Sequence, residues 1–260
     1  MFKVKVDPHT HTLFSGHAFS TIEENALHAA ELGLEAIGMT DHFSPMFSKD
    51  VPGFGPSLNM KALPKVIHGV RILAGTEIDI VDHEGHLAFY DQEIPFGPAT
   101  GRTVCDMMLD SREIVVASVH YFEGCREGTV AQNTQMYINV LQNPKVDIIG
   151  HIGRAGLPFE MDEVLAVAKA EDKFIEINDH SFDSGEPIVS ICRDIAIRCA
   201  EMGVSIVVSS DAHSSFLVGH FDQAMGVLEE IHFPEELVAN LTFEKLWSRI
   251  YPRHKDILKF

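Results

Sequence analysis

No run of 18 apolar residues occurs in the chain, which excludes a membrane-spanning helix. Basic residues are scarce, 20 Lys and Arg against 38 Asp and Glu for a formal charge of −18. No basic cluster stands out, and binding to duplex nucleic acid without sequence preference needs one to neutralise phosphates. The four cysteines, Cys105, Cys125, Cys192 and Cys199, show no C-x-x-C spacing, so neither a thiolate metal site nor a dithiol redox motif is expected. Buried, reduced thiols in a cytoplasmic protein fit this pattern. The opening Met1-Phe2-Lys3-Val4-Lys5-Val6-Asp7 alternates like a strand and lacks the apolar core of a signal peptide. No G-x-S-x-G elbow and no P-loop is present, which leaves the serine-hydrolase and Walker-type nucleotide classes without their central device.

What is present is enough for one sizeable core: 260 residues, 45% hydrophobic and 22% charged, with no break in composition, read here as a single domain over 1–260. Short apolar runs alternate with amphipathic segments. Strands are expected at Val4–Asp7, Ala36–Thr40, Arg71–Glu77, Ile114–Val119, Val146–Gly150, Phe174–Asn178 and Ser205–Ser209. Between them, Ser20-Thr21-Ile22-Glu23 reads as a capping box for a helix that stops near Gly33. Asp162 is expected to cap a helix through Lys169, with Val164, Leu165 and Ala168 on its inner face. Leu246 and Trp247 read as packing of a last helix. Val51–Leu58 and Ile94–Gly101 carry the Pro and Gly of loops. Alternating β and α units make this an α/β chain with parallel strands. Periodicity leaves a closed barrel and a doubly wound open sheet both standing.

The 15 histidines are placed unevenly. His9 and His11 follow the first strand as Asp7-Pro8-His9-Thr10-His11; His42 ends the second in Thr40-Asp41-His42. Glu77 closes the third, His120 the fourth, His151 the fifth, and Asp211 with His213 the last. In a parallel α/β fold the C-terminal strand ends converge on one face, where active sites lie. An H-x-H pair on an extended strand end puts both imidazoles on one side, able to chelate one ion. Imidazoles mixed with carboxylates and no thiolates suit Zn, Mn or Fe better than Ca or Mg.

These elements (H-x-H, T-D-H, G-x-E, V-H, G-H and S-D-x-H) resemble the PHP (polymerase and histidinol phosphatase) superfamily from Asp7 to about Phe221. His17, in Ser15-Gly16-His17-Ala18-Phe19-Ser20, resembles the extra ligand of the trinuclear phosphoesterase branch. The resemblance implies a distorted seven-stranded (β/α) TIM-like barrel with its metal site at the C-terminal strand ends. It also implies three divalent ions, zinc first and manganese or iron as alternatives. His9, His11, Glu77 and Asp211 would hold one ion. Glu77 would bridge to a second, completed by His120 and His151, and His17, His42 and His213 would hold a third. Asp41 is expected behind the site, accepting a hydrogen bond from a ligand imidazole.

On this reading the chain is a metal-dependent phosphatase acting on a small phosphorylated metabolite, with neither duplex nucleic acid nor a membrane as partner. A metal-activated hydroxide would attack phosphorus, with Glu77, Asp211 and His213 the ligands closest to the chemistry. Three divalent ions against two carboxylates would leave the pocket positive, provided further acids stay out. Arg154 is the best candidate for a phosphate grip outside the metal set. Asn178 and His180, at the end of a strand that supplies no ligand, face substrate or else serve as a turn Asn and a loop His. His83 and His86 read as a solvated hairpin. The competing activities are a phosphodiesterase or nuclease on short nucleotides, a histidinol-phosphate phosphatase and, in a different class, a metal-binding domain without catalysis. An amidohydrolase would also begin with H-x-H, but it typically carries a strand-end Lys where Glu77 stands here.

Overall fold

Seven strands run parallel and side by side: β1 (Val6–Thr10), β2 (Ala36–Met39), β5 (Val70–Asp79), β6 (Ile114–Ser118), β7 (Ile148–Ile149), β8 (Phe174–Asn178) and β9 (Ile206–Ser209). Two short strands attach to β5: β3 (His42–Phe43) in parallel and β4 (Val66–Ile67) antiparallel. The computed structural model describes residues 2–47 and 59–255, so the expected loop at Val51–Leu58 lies outside the described residues. Helices α1 (Ile22–Glu31), α2 (Val104–Leu109), α3 (Val130–Leu141), α4 (Met161–Ala170), α5 (Ile188–Met202) and α6 (Asp222–Glu230) cover the outside, and α7 (Phe243–His254) ends the described chain.

The sheet curls into a nearly closed barrel. Near the strand C-termini β9 and β1 meet directly, with Asp211 N donating to His9 O at 3.0 Å and His11 N to Ala212 O at 2.9 Å. Lower down they part, and Asn240 fills the seam. Its Nδ2 donates to Val6 O (2.8 Å) and Val208 O (2.6 Å), while its Oδ1 accepts from Val208 N (3.0 Å). With Ala239 N donating to Ile206 O (2.8 Å) and Asp7 Oδ1 accepting from Ser210 N (3.1 Å), the fully buried Asn240 side chain bridges the gap between β9 and β1.

Strand residues alternate between two layers. Val6, Leu73, Ile114, Val116, Phe174 and Val207 form an inner cluster with Leu246 and Ile250 of α7, and Phe243 and Trp247 pack against it. Their neighbours Ile72, Ala74, Val115, Ala117, Ile175 and Val208 join the helices in the larger outer core. Continuing the inward set toward the strand C-termini gives Gly75, Glu77 and Asp79 on β5, and Glu176 and Asn178 on β8. The barrel interior therefore changes from hydrocarbon at one end to polar groups at the other. Gly75 permits this tight middle layer: a Cβ there would lie 2.5 Å from Thr40 Cγ2.

The seven main strands stand where the sequence puts them, with shifted ends. The first runs Val6–Thr10 because β1 carries a register shift between Asp7 and Thr10. The third extends past Glu77 to Asp79, and the fifth keeps only two residues. The capping box is one residue later than expected, Thr21 with Glu24, since Ser20 is engaged as acceptor from Ser215 N. Asp162 caps nothing: α4 begins at Met161, and the Asp162 carboxylate pairs with Arg198. Val164, Leu165 and Ala168 are its buried face, as expected. All four cysteines are free and buried, and no helix among the described residues is long and apolar enough to cross a membrane.

Two stability predictions follow from the barrel floor. Asn240→Ala strips buried Val6 and Val208 backbone groups of partners, and chemical denaturation should show a loss of about 1–3 kcal/mol or more; an unchanged midpoint would mean the seam closes without Asn240. Asp147, fully buried, accepts from Val115 N (2.9 Å), Arg253 Nε (2.7 Å) and His254 Nε2 (2.8 Å), tying α7 under the barrel. Burial alone would raise its pKa, but His254 and Arg253 hold it below the ordinary carboxylate value. A depressed folded pKa contributes stability that is complete above the unfolded value, about 3.9, and is lost as pH falls through the folded one. The stability advantage of the native chain over Asp147→Asn should be constant above about pH 5 and shrink below about pH 4. A pH-independent difference would contradict this.

Candidate metal centre

The polar end of the barrel collects its side chains from nearly every strand. The irregular end of β1 turns both His9 and His11 inward, with ring centroids 5.0 Å apart. β3 pairs His42 directly with Glu77 of β5. His120 follows β6, His151 follows β7, and Asp211 and His213 follow β9. His151 and Asp211 both have positive φ (26° and 55°), a backbone that costs non-glycine residues energy and is held where the surroundings over-determine it. His17 comes from the loop before α1 and lies against His42 and His213, at centroid distances of 5.0 and 4.6 Å.

Glu77 is the centre of this set. One oxygen, Oε1, lies 2.8 Å from His151 Nε2 and 3.5 Å from His120 Nε2. The other, Oε2, lies 2.7 Å from His42 Nδ1, 3.5 Å from His9 Nε2 and 3.6 Å from His11 Nε2. Asp211 Oδ1 is 3.0 Å from His11 Nε2 and 3.6 Å from His9 Nε2. Three groups of donor atoms fall within 4.8 Å of one another: His9, His11 and Glu77; His42, Glu77 and His120; His11, His42 and His213. His17 stands just outside these, its ring beside the third group. His42, assigned by resemblance to the third ion alone, also stands beside the second group.

The residues fit bound cations. Glu77 Oε2, Asp211 Oδ1 and His42 Nδ1 are buried with no hydrogen-bond partner. His42 Nδ1 and Glu77 Oε2 are close yet not hydrogen bonded, as two lone pairs aimed at a shared point would be. Leaving such acceptors buried and unpaired is costly, and a divalent ion satisfies all of them. Protonation divides the ligands: against burial, Glu176 and Glu77 raise His9 well above the usual imidazole value, and Glu77 and Asp79 raise His120 to about 9. Burial and the nearby His42 hold His11 and His17 below the usual imidazole value, and burial with neighbouring cations does the same for His151 and His213. Although burial alone would raise Glu77, the imidazoles of His120, His9 and His42 hold its carboxyl well below the usual range. Asp211 is likewise held low, against burial, by His9, His11 and Arg154.

Two carboxylates that orient ligands are missing from the sequence reading. Glu176 Oε1 lies 2.7 Å from His9 Nδ1 and accepts from Ser209 Oγ at 2.6 Å, while its Oε2 accepts from His151 N at 2.5 Å. Asp79 Oδ1 lies 2.7 Å from His120 Nδ1, and Ser44 donates to its other oxygen. A carboxylate only accepts, so both imidazoles carry their proton on Nδ1 and present Nε2 to the site. For Glu176 the signal was an acid at an inward position of an apolar run; Asp79 lies two residues past the expected strand end, in step with Glu77. Asp41 acts one step further back than expected. It accepts from Thr12 N and from Ser15 Oγ (2.7 and 2.6 Å), and Ser15 Oγ in turn faces His11 Nδ1 at 2.9 Å. Asp41 therefore orients His11 through a hydroxyl. Buried acids do crowd the site, so the surplus of positive charge is smaller than ligands alone suggest.

A cavity of about 300 Å³ opens on the cluster, lined by His17, His42, Phe47, His120, Arg154, His180, Asp211 and His213. Arg154 Nη2 donates to Asp211 Oδ2 at 2.7 Å, and Nη1 is buried and unpartnered. His180 lines the opening, half-exposed, with Nδ1 3.0 Å from Asp183. Asn178 does not line the cavity. It caps the following 3₁₀ turn through Ser181 N and reaches Asp211 Oδ2 at 3.3 Å, so its amide is spent holding a ligand. His86 is exposed and stacks on Tyr90, as a solvated hairpin His would; His83 instead packs its edge on Phe122.

The chain resembles known proteins in sequence and in fold. The PHP domain matches residues 7–180. The chain is similar to a probable phosphatase of Caldanaerobacter subterraneus subsp. tengcongensis, 42% identical over 98% of this chain and 94% of the relative. A probable phosphatase of Acetivibrio thermocellus is 39% identical, covering 94% and 93%. Among solved structures, histidinol phosphate phosphatase of Lactococcus lactis, complexed with zinc, L-histidinol and phosphate, superposes with a TM-score of 0.57 at 20% identity. It covers 88% of this chain and 94% of that one, a likeness of fold.

Glu176 accepts from four donors, two at each oxygen, so Glu176→Gln, with one acceptor oxygen, must abandon at least one. Competition with a chelator should show metal affinity lowered about 10–100-fold; an unchanged affinity would mean that His9 and His151 are oriented without it.

Proposed function

We propose that this chain, which belongs to the PHP domain family, hydrolyses the phosphate monoester of a small metabolite at a site of three divalent ions. Its relatives' names and its ligand cluster make it a metal-dependent phosphoesterase. The number of ions and the monoester are our reading. His9, His11, Glu77 and Asp211 would hold the first ion, Glu77 with His120 and His151 the second, and His17, His42 and His213 the third. Around Glu77, Oε1 faces His120 and His151, while Oε2 faces His9, His11 and, at the shortest distance, His42, which supports a carboxylate shared between ions. Zinc is the first choice for these ligands, with manganese or iron as alternatives.

Bound ions would supply the positive charge that attracts a phosphate dianion and would lower the pKa of an attacking water. The chain's own residues do the rest. Arg154 carries the observation that favours phosphate: a partly buried side chain that lines the cavity, fixed by Asp211 through Nη2, with Nη1 unpaired. A phosphate oxygen there gains a charge-assisted hydrogen bond to a donor already held in place. His180, at the opening, meets the leaving-group side of the ester. Glu176 and Asp79 keep the ligand imidazoles in one tautomer, so no reorganisation accompanies binding. A cavity of about 300 Å³ accommodates a phosphate with a small alcohol, not a polynucleotide.

Phosphate release should be followed over a panel of monoesters, L-histidinol phosphate among them, and diesters, with added zinc or manganese. Asp211→Asn serves as the blank. Monoester turnover that vanishes in the blank is expected, whereas activity confined to diesters would replace this reading with a phosphodiesterase. Arg154→Ala should raise KM for monoesters about tenfold or more, the loss of one charged hydrogen bond. An unchanged KM would remove Arg154 from the phosphate site.

A further inference from the structure

Each ligand imidazole must be held at a fixed angle, and the residues around the centre do this in two ways. His9 is held by Glu176, His11 by Ser15 and His120 by Asp79. His17 and His213 are held by the backbone carbonyls of Ser15 and Asp211, at 3.1 and 2.9 Å. His42 differs: its Nδ1 faces Glu77 Oε2 inside the site at 2.7 Å, and rings pack around it, His11 at 4.4 Å and Phe47 among them. Phe47 is the hydrocarbon ring of that set. Its ring centroid lies 4.6 Å from that of His42 and 4.8 Å from that of His17, tilted by 23° and 26°. The two imidazoles lie 5.0 Å apart at 19°. The three rings form a triangle of near-parallel, offset planes, a favoured aromatic arrangement.

We propose that Phe47 is a positioning residue for the all-histidine corner, one that slows escape of the ion held by His17, His42 and His213. The proposal rests on the three-ion reading above. It follows from chemistry as well as contact. The carboxylates nearest this corner, Glu77 at 2.7 Å from His42 and Asp211 at 3.7 Å from His213, are assigned to the other ions, so retention here falls mainly on three imidazoles. Release requires an imidazole to swing away and water to take its place. The Phe47 ring blocks the swing of two imidazoles at once and covers their outer side with hydrocarbon, which water does not replace. Phe47 is itself 42% exposed and lines the cavity, so it contributes little to the core and its effect should be local.

The test uses zinc-loaded full-length protein. Metal content is measured by mass spectrometry, then zinc release to a coloured chelator is followed in time for the native chain, Phe47→Ala and Phe47→Tyr. One of three ions is expected to leave Phe47→Ala about three- to tenfold faster, the scale of one aromatic pair. The other two should leave at native rates, and Phe47→Tyr should restore retention. Native release of all three from Phe47→Ala would overturn the proposal, and so would equal acceleration of all three, which marks general loosening. A native chain that loads fewer than three ions would overturn the three-ion reading first. That outcome is visible before any variant is compared.

Discussion

The Glu77 carboxylate is the constraint on which the rest of the centre depends. It is fully buried at the end of the longest strand, where an unpaired charge would be prohibitive. What makes it tenable is the ring of imidazoles around it and the cations those imidazoles are built to hold. The surrounding features answer to the same requirement. Glu176 and Asp79 set tautomers, Asp41 acts through Ser15 on His11, and the positive φ values of His151 and Asp211 aim two ligands inward. The barrel supplies the rigidity: the inner layer beneath is hydrocarbon, and α7 seals the floor.

The distribution of charge resolves an apparent conflict. A chain with a formal charge of −18 repels phosphate at long range. Its buried acids, however, are engaged by imidazoles, by arginines or by hydroxyl and backbone donors. The field a ligand meets inside the cavity is then set by the ions and the free edge of Arg154, not by the total. Recognition of phosphate at close range and solubility from surface acids are separate properties, carried by different residues.

Much of this was legible in the sequence because strand ends in a parallel α/β chain are forced onto one face. His9, His11, His42, Glu77, His120, His151 and Asp211 could be placed together from their positions alone. What was not legible lay at the next remove. Glu176 sits inside the apolar run Phe174-Ile175-Glu176-Ile177-Asn178, where only the period-2 alternation distinguishes an inward acid from an error of assignment. Asn240 closes the barrel from a segment far from any strand it bonds, a contact with no local signature. Asn178, left by its strand-end place between substrate contact and turn Asn, serves the following turn through Oδ1 and Asp211 through Nδ2. Helix starts were off by a residue where a side chain was engaged elsewhere, as at Ser20.

The central claim, that Glu77 joins two ions, is tested most directly by X-ray absorption spectroscopy on the zinc-loaded protein. Its readout is geometry and owes nothing to turnover. The account predicts nitrogen- and oxygen-dominated first shells and a metal–metal vector at about 3.5–4 Å, the separation typical of paired catalytic ions. That vector should be lost in Glu77→Gln. A zinc spectrum with no metal–metal vector in the native protein, at full loading, would contradict it.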